Sequence, residues 1–219
     1  MVFEGTHLTV CRYDRRAHRI ELVGEGDGGP LRSFDALEAH LGTRASRLLF
    51  AMNAGMFDED GRPIGLHVEQ GRQLRRVNLR DGPGNFHMKP NGVFAVDAEG
   101  RVAVVTSDAF ARRRLPGVMW ATQSGPMLVV AGRLHPRFSA DGESRLARNG
   151  VGVANPDSAF FVISDDPVSF GRFARFFRDV LKCPDALFFD GSVSSLWDPA
   201  AGRRDEQAEL GPIAIVFRR

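Results

Sequence analysis

Turns rich in glycine and proline divide this chain into short apolar runs. The frequency of these turns is the feature that most limits which folds the chain can adopt. The 219 residues include 24 Gly and 12 Pro. Two pairs of apolar runs flank Gln70-Gly71 and Ala98-Glu99-Gly100, so each pair is expected to form a β-hairpin. The pattern therefore predicts that strands outnumber helices.

The remaining apolar runs lie between similar turns and are expected to be strands. They cover residues 2–12, 18–23, 47–52, 127–130, 149–154, 159–163, 186–189 and 213–217. Ser33 is expected to cap a short helix that ends near Gly42. A longer helix is predicted over Ser169–Lys182, where phenylalanines recur at helical spacing and are expected to face the core. The prediction is one α+β domain, residues 1–219, with a mixed, largely antiparallel sheet, one long helix and one or two short ones.

Composition excludes several classes of protein. The formal net charge is only +2, from 29 basic and 27 acidic residues, so nucleic acid is not an expected partner. No apolar run approaches the ~18 residues of a membrane span. Cys11 and Cys183 stand alone, which excludes a structural zinc site. No leader peptide is evident, so the chain as given reads as cytoplasmic; a periplasmic or secreted protein trimmed of its signal would read the same.

Three loop segments combine small residues with polar groups directly beside an apolar strand. Asn53 follows the run at 47–52 and precedes Gly55, an arrangement that lets an amide donate to a ligand oxygen. Asp190 follows the run at 186–189 and precedes Gly191-Ser192-Val193-Ser194-Ser195. A carboxylate there suits acid, base or nucleophilic chemistry, and loop N–H and hydroxyl groups suit phosphate oxygens. Arg148 stands before Asn149-Gly150, where a guanidinium is suited to an anion.

Each segment also has a plainer interpretation. Asn53 is the type of residue that closes its own turn, and Asp190 is a common helix cap. Arg148 could be an ordinary arginine at a strand edge. A fourth segment, Thr122-Gln123-Ser124-Gly125-Pro126, offers in Gln123 and Ser124 two side chains suited to a sugar, although Gly-Pro alone signals only a turn.

Taken together and in order, these segments resemble the phosphodiester glycosidase family. Its Asn-Gly-Gly-Phe-like segment is similar to residues 53–57, and its Asp-Gly-Gly-Gly-Ser-Ser segment is similar to residues 190–195. Between them, residues 124–132 match a Ser-Gly-Pro segment with an apolar run, and residues 148–152 match Arg-x-Gly-x-Gly. Ala54, Ser192 and Val193 replace family glycines, which puts the pose of the substrate phosphate in question. Residues 84–92 resemble a bacterial subgroup of that family without a known substrate.

The resemblance implies a hydrolase that cleaves the glycosyl–phosphate bond of a phosphorylated carbohydrate or glycan, without a cofactor. Asp190 would act at the anomeric carbon, Arg148 would hold the phosphate and Asn53 would position a sugar hydroxyl. The expected substrate contacts are Gly55, Gln123, Ser124, Gly191, Ser194 and Ser195, with His87 and Lys89 as alternative phosphate contacts. Asp58 and Glu69 are candidates for a second carboxylate. No metal is required, although the acidic loop Asp58-Glu59-Asp60 could bind calcium weakly.

Two rival functions remain open from the sequence. The first is a non-catalytic module that binds anionic glycans through the same arginine, asparagine and serine contacts. The second is a serine hydrolase with Ser194 or Ser195 as nucleophile, although the sequence has neither a GxSxG elbow nor an obvious His and Asp pair. The sugar, its anomer and the oligomeric state cannot be read from the sequence.

Overall fold

The computed structural model describes residues 1–26, 28–113, 115–206 and 208–219. Its strands are, in chain order, β1 (Val2–Phe3), β2 (Thr6–Asp14), β3 (His18–Val23), β4 (Glu25–Gly26), β5 (Gly29–Pro30), β6 (Leu48–Asn53), β7 (His67–Glu69), β8 (Arg72–Arg75), β9 (Gly92–Asp97), β10 (Val102–Thr106), β11 (Val118–Ser124), β12 (Met127–Val130), β13 (Arg133–Leu134), β14 (Asn149–Asn155), β15 (Ser158–Ser164), β16 (Asp185–Phe188), β17 (Leu196–Asp198), β18 (Arg203–Arg204) and β19 (Ile213–Arg218). The α-helices are α1 (Phe34–Leu41), α2 (Ser107–Arg113) and α3 (Phe170–Arg175).

The larger sheets number three within the described residues. One has the order β1-β2-β15-β14-β16-β12-β13, the second β10-β9-β11-β7-β8 and the third β18-β17-β6-β19-β3. A separate ladder joins β4 and β5; Asp27, between them in the loop expected at residues 24–30, lies outside the described residues. Each described strand pair is antiparallel. The α+β class and the antiparallel character are therefore confirmed.

A shared core lies between the three sheets. Its members come from strands of all of them, and include Tyr13, Phe50, Phe94, Phe161 and Phe189, each at most 4% exposed. The alternation of side chains along the strands sends these residues inward. Because the three sheets enclose this one core, strand ends from all three lie together at its edge, which is called the rim below.

Helices cover the outer faces of the sheets. On the seven-stranded sheet lies α3, capped by Ser169, whose Oγ accepts from the N–H of Arg172 at 3.2 Å. Residues 176–180 continue it as a π-helical turn, so the predicted helix over 169–182 is present but changes type midway. It packs closely: a Cβ on Gly152 of β14 would meet Cδ1 of Phe177 at 2.5 Å. The glycine in that strand is thus a packing requirement.

The helix α1 matches the prediction at both ends. Ser33 Oγ accepts from the N–H of Ala36 at 3.1 Å, and Gly42 ends the helix with φ of 53°. Both hairpins are also confirmed, as β7–β8 and β9–β10. The strands of the first are shorter than the apolar runs at 64–69 and 72–78 that predict it. The described residues contain no helix long and apolar enough to cross a membrane.

The sequence pattern does not predict β11 or α2. The end of β11 carries the polar residues Thr122, Gln123 and Ser124, all buried, so its sequence lacks the apolar alternation of a strand. It nevertheless pairs with β9 on one side and β7 on the other. Polar side chains are mostly exposed in proteins, so three buried ones at the end of β11 are uncommon and draw attention to this part of the rim.

Candidate active site

Four strands bring the candidate residues to one rim. Asn53 is the last residue of β6, Ser124 the last of β11, and Asn149 the first of β14, while Asp190 follows β16 by two residues. Gly150 pairs with Phe188, and the N–H of Phe189 donates to the Asn149 carbonyl at 3.1 Å. Continuing this antiparallel register places the backbone of Arg148 opposite that of Asp190.

Asn53 holds the loops of this rim together. Its Nδ2 donates to the Asp190 carbonyl at 3.0 Å, and its Oδ1 accepts from the Ser195 N–H and from Asn149 Nδ2, both at 2.8 Å. Asn149 Nδ2 also donates to the Asn53 carbonyl at 2.8 Å. Asn53 and Asn149 are 1% and 0% exposed. The structure therefore places Asn53 as a buried brace behind Asp190, and its amide oxygen is already fully engaged.

The serines differ in what they do. Ser124 Oγ donates to the Phe189 carbonyl at 2.7 Å, which ties β11 to the segment that carries Asp190. Ser195 is 1% exposed, and its buried Oγ has no hydrogen-bond partner among the described residues. Ser194 is half-buried and donates weakly to the Gly191 carbonyl at 3.3 Å and to Asn149 Oδ1 at 3.5 Å. Only Ser194 of the three is placed to meet a ligand with its side chain.

Asp190 is a half-buried carboxylate without a counter-ion among the described residues. Its Oδ1 accepts from the Ser192 N–H at 3.1 Å and so caps the short turn Gly191–Val193. Burial raises the pKa of Asp190 above its ordinary value, and the hydrogen bonding by Ser192 opposes this only in part. No charged side chain contributes to the shift. The capping interpretation is therefore correct but incomplete, because a capping carboxylate does not have to be desolvated.

Gly191 is required by its surroundings. A Cβ at this position would lie 2.8 Å from Cζ of Phe188 and 3.1 Å from the carbonyl oxygen of Ala147. The loop can therefore approach β14 closely only with glycine here. Gly55 is similarly confined, since its Cβ would meet Thr122 Oγ1 at 2.1 Å.

Arg148 is a buried cation that lacks an acidic partner among the described residues. It is 1% exposed, its Nε donates to the Val168 carbonyl at 2.8 Å, and its Nη2 donates to the Ser144 carbonyl at 3.0 Å. The guanidinium carbon lies 3.6 Å from the ring centroid of Phe170. Burial lowers the pKa of Arg148 to about 10. Its Nη1 has no hydrogen-bond partner among the described residues, so this nitrogen remains to donate to an anion.

The structure brings Arg148 and Asp190 together only at the level of the backbone. They form no ion pair, and neither side chain contributes to the pKa shift of the other. The ring of Phe188, whose centroid is 5.7 Å from the guanidinium carbon, lies on the same face of the sheet. A ligand that contacts both groups would have to bridge them.

Three other expected contacts serve a different segment. Gln123 Oε1 accepts from the N–H groups of Leu66 and Asn78 at 3.0 and 2.8 Å, and its Nε2 donates to the Asn78 carbonyl at 2.7 Å. Lys89 Nζ donates to the Leu79 carbonyl at 2.8 Å, and His87 Nδ1 lies 3.0 Å from the Arg80 carbonyl. These side chains fasten residues 78–80 in place rather than meeting at Asp190.

Neither candidate for a second carboxylate stands beside Asp190. Glu69 accepts from the Gly24 N–H and lies 2.7 Å from Nε2 of His67. By the register of β7 with β11 it falls opposite Trp120, four positions from the rim residue Ser124. Asp58 Oδ1 accepts from the N–H groups of Asp60 and Arg62 and so organises its own loop.

Metal ligands are not gathered anywhere in the part of the chain that the structure describes. No group of three or more His, Cys, Asp or Glu side chains there could hold an ion, and this includes the acidic loop at residues 58–60. Cys11 and Cys183 are both buried and free, so no disulfide joins them.

Asn149 is a site residue whose role was not predicted from the sequence. It joins Asn53, Ser194 and the Asp190 loop in one hydrogen-bonded network. The signal was present, because Asn149 stands between Arg148 and Gly150 in the segment already singled out. Only the interstrand register shows that its side chain points to Asn53.

Fold and site together define a β-rich domain with a desolvated carboxylate on a rim built from asparagine, serine and glycine. A family model described as phosphodiester glycosidase matches residues 46–207 of the 219. This chain therefore belongs to the phosphodiester glycosidase family, which is a family of hydrolases.

One relative and two solved structures are similar to this chain over most of its length. The chain is 34% identical over 193 residues to the uncharacterised Escherichia coli protein YigE, covering 87% of this chain and 74% of that one. The catalytic domain of zebrafish N-acetylglucosamine-1-phosphodiester alpha-N-acetylglucosaminidase, auto-inhibited by its pro-peptide, is similar with a TM-score of 0.65 at 15% identity, over 97% of this chain and 83% of that one. A hypothetical protein from Synechocystis has a TM-score of 0.59 at 16% identity, over 100% of this chain and 61% of that one. At these identities the two structures support the fold alone.

Proposed function

We propose that this protein hydrolyses the glycosyl–phosphate bond of a sugar-1-phosphodiester, releasing the sugar and a phosphate monoester. The observation that carries the proposal is the desolvated Asp190 carboxylate, which has no counter-ion among the described residues and stands on a glycine-serine loop. Membership of the phosphodiester glycosidase family supports a phosphorylated carbohydrate as the substrate class.

Asp190 acts at the anomeric carbon in this proposal. Its Oδ1 is held by the Ser192 N–H, which leaves Oδ2 to face the substrate. As a general base, it takes a proton from a water molecule whose oxygen forms the new bond to the anomeric carbon. The bond from that carbon to the phosphate oxygen breaks, and the electron pair leaves with the phosphate. A carboxylate whose pKa is raised by burial is the stronger base for this task.

Arg148 and the loop after Asp190 bind the phosphate. The guanidinium Nη1, which has no hydrogen-bond partner among the described residues, supplies a charged donor, and the half-buried Ser194 adds a hydroxyl. These groups offset the charge that develops on the leaving phosphate. Asn53 and Asn149 act behind them as positioning residues, because their hydrogen bonds fix the Asp190 carbonyl and the Ser195 N–H.

The test replaces Asp190 by Asn and measures sugar release from synthetic sugar-1-phosphodiesters. Asp198 provides a matched control, since it also caps a short helical turn, through the N–H groups of Ala200 and Ala201 at 3.1 Å. Asp190→Asn is expected to lose at least about 10³-fold in turnover, because an amide cannot accept the proton. Asp198→Asn is expected to retain full activity. Equal activity in both variants would remove Asp190 from the chemistry.

Binding measured separately from turnover distinguishes the rival glycan-binding module. If the wild-type protein binds sugar-1-phosphodiesters but releases no sugar from any of them, the module is the better description. The serine hydrolase receives no support from the site, because no histidine within the described residues hydrogen-bonds to Ser194 or Ser195.

A further inference from the structure

Two cavities lie beside the sheet that carries β7 and β8. The first, of about 630 Å³, is lined mainly by apolar side chains: Leu66, Val68, Val77, Phe110, Leu115 and Val118. Leu66 and Val68 are buried, whereas the other four are only partly covered. The outer wall of this small core is therefore open to a ligand.

The second cavity, of about 430 Å³, adjoins the first. Arg76 and Val77 line both, so the two volumes share a wall. Arg75 and Arg80 also line the second cavity, whose one acidic residue is Asp58. Asp58 is already engaged by the N–H groups of its own loop. Volumes in this range are those of small-molecule sites.

The arginines of the second cavity have no acidic partners within the described part of the chain. Arg75, Arg76 and Arg80 form no ion pair there, whereas arginines elsewhere, such as Arg175 and Arg204, each contact carboxylates. All three side chains are exposed and line the same cavity, so a single anion in that cavity can contact them.

Side-chain hydrogen bonds hold the backbone at residues 78–80, which includes Arg80 and follows Arg75 and Arg76 closely in the chain. Gln123 fixes Asn78, Lys89 fixes the Leu79 carbonyl and His87 fixes the Arg80 carbonyl. Asn78 Nδ2 further donates to the Ile64 carbonyl at 3.0 Å. Preorganisation of this kind lowers the entropic cost of binding.

We propose that the two cavities form one binding site for a single-chain amphipathic anion, with the hydrocarbon chain in the apolar cavity and a phosphate-like head group against Arg75, Arg76 and Arg80. The apolar wall supplies burial for the chain, and the arginines supply charge-assisted hydrogen bonds for the head group. The site is separate from Asp190 and does not depend on the hydrolysis proposed above.

Calorimetric titration with dodecyl phosphate below its micellar concentration tests this site. Wild-type protein is expected to bind it at least about 100-fold more tightly than ethyl phosphate, because the longer chain buries more methylene groups. Arg75→Gln/Arg76→Gln is expected to weaken binding of dodecyl phosphate by about 100-fold, from roughly tenfold for each charged contact. Ala111→Phe, which fills the apolar cavity from α2, is expected to reduce the preference for the longer chain.

Arg72→Gln is the matched control. It removes the same charge from the same strand, but Arg72 lines neither cavity. This variant is expected to bind dodecyl phosphate within about twofold of wild type, and Asp190→Asn is expected to bind it unchanged. The proposal is overturned if ethyl and dodecyl phosphate bind equally tightly, or if Arg72→Gln weakens binding of dodecyl phosphate as much as the double variant does. It is also overturned if the protein binds anionic vesicles but not monomeric dodecyl phosphate.

Discussion

Arg148 and Arg204 both stack on an aromatic ring, but their surroundings are opposite. The guanidinium carbon of Arg148 lies 3.6 Å from the Phe170 centroid, and that of Arg204 lies 4.3 Å from the Trp197 centroid. Arg204 contacts the carboxylates of Asp35, Glu38 and Glu206, whereas among the described residues Arg148 contacts only neutral oxygens.

The pKa values follow this difference. Burial alone lowers the pKa of Arg148 to about 10. Burial also acts to lower the pKa of Arg204, but its carboxylate partners outweigh this and raise it above the ordinary value. A buried charge without a partner is costly, whereas each ion pair of a partly exposed network contributes about 0–1 kcal/mol. We therefore propose that Arg204 serves the fold and that Arg148 binds an anion from outside the chain.

The largest expected effect comes from exchanging the two arginines for methionine. Arg148→Met should lower the turnover of a sugar-1-phosphodiester by about 10²–10³-fold, because it removes the charged donor to the leaving phosphate. Its free energy of unfolding should change by no more than about 1 kcal/mol, since Met relieves a buried charge. Arg204→Met should keep full activity and lose about 1–2 kcal/mol of stability. Sugar release and urea unfolding measure the two effects.

The comparison breaks if the two variants behave alike. Full activity in Arg148→Met would make its guanidinium a structural group that happens to lack an acid. Inorganic phosphate gives an independent measurement, because it should raise the Tm of wild type and of Arg204→Met by more than that of Arg148→Met.

The next effect concerns the neutral network beside these charges. Asn53→Ala would leave the Ser195 N–H and the Asp190 carbonyl without partners in a buried place. Each such group costs about 1–3 kcal/mol, so we expect a loss of about 2–6 kcal/mol in the free energy of unfolding. Thermal or urea unfolding measures this loss, with Asn78→Ala near the surface as a comparison. A loss below about 1 kcal/mol would mean that the network does not brace the rim.

Asp190 extends the comparison to an acid, through pH. Burial raises its pKa in the folded state above the ordinary value of 3.8. The folded state therefore holds this proton more tightly, and the stabilisation it gives is complete below pH 3.8 and lost as pH rises through the folded pKa. Relative to Asp190→Asn, wild type should thus lose stability over that window, as urea unfolding from pH 3 to 7 would show.

Activity should run in the other direction. A general base works only when ionised, so kcat/KM is expected to rise with pH through the same raised pKa. A pH–rate profile that is flat above pH 4 would argue against Asp190 as the base.

The sequence predicted those parts of the molecule whose signals are local. The caps of α1, the two hairpins and most strands depend on residues within a few positions, such as Ser33 and Gly42. The strand β11 was missed because its buried end is polar, and burial of Gln123 depends on partners up to 57 positions away. The change from α-helix to π-helix at Phe176 also has no marker in the sequence pattern.

The site was predicted by position more than by role. The segments around Asn53, Ser124, Arg148 and Asp190 do meet at one rim, because they all end strands of adjoining sheets. The side chain of Asn53 proved to bind protein groups. Gln123 likewise binds Asn78. Hydrogen-bond partners distant in sequence decide such roles, and no spacing rule reveals them.

The smallest expected effect comes from Ser195, which has one paired and one unpaired polar group, both neutral. Its N–H donates to Asn53 Oδ1 at 2.8 Å, but its buried Oγ has no partner among the described residues. Removing an unpaired buried hydroxyl relieves its desolvation, so Ser195→Ala is expected to be neutral or to stabilise by up to about 1 kcal/mol. Activity should be unchanged, because only the backbone of Ser195 takes part in the network. If Ser195→Ala instead lowers both stability and turnover, its hydroxyl has a partner at the rim, and the side chain belongs with Arg148 and Asp190 among the groups that act on the substrate.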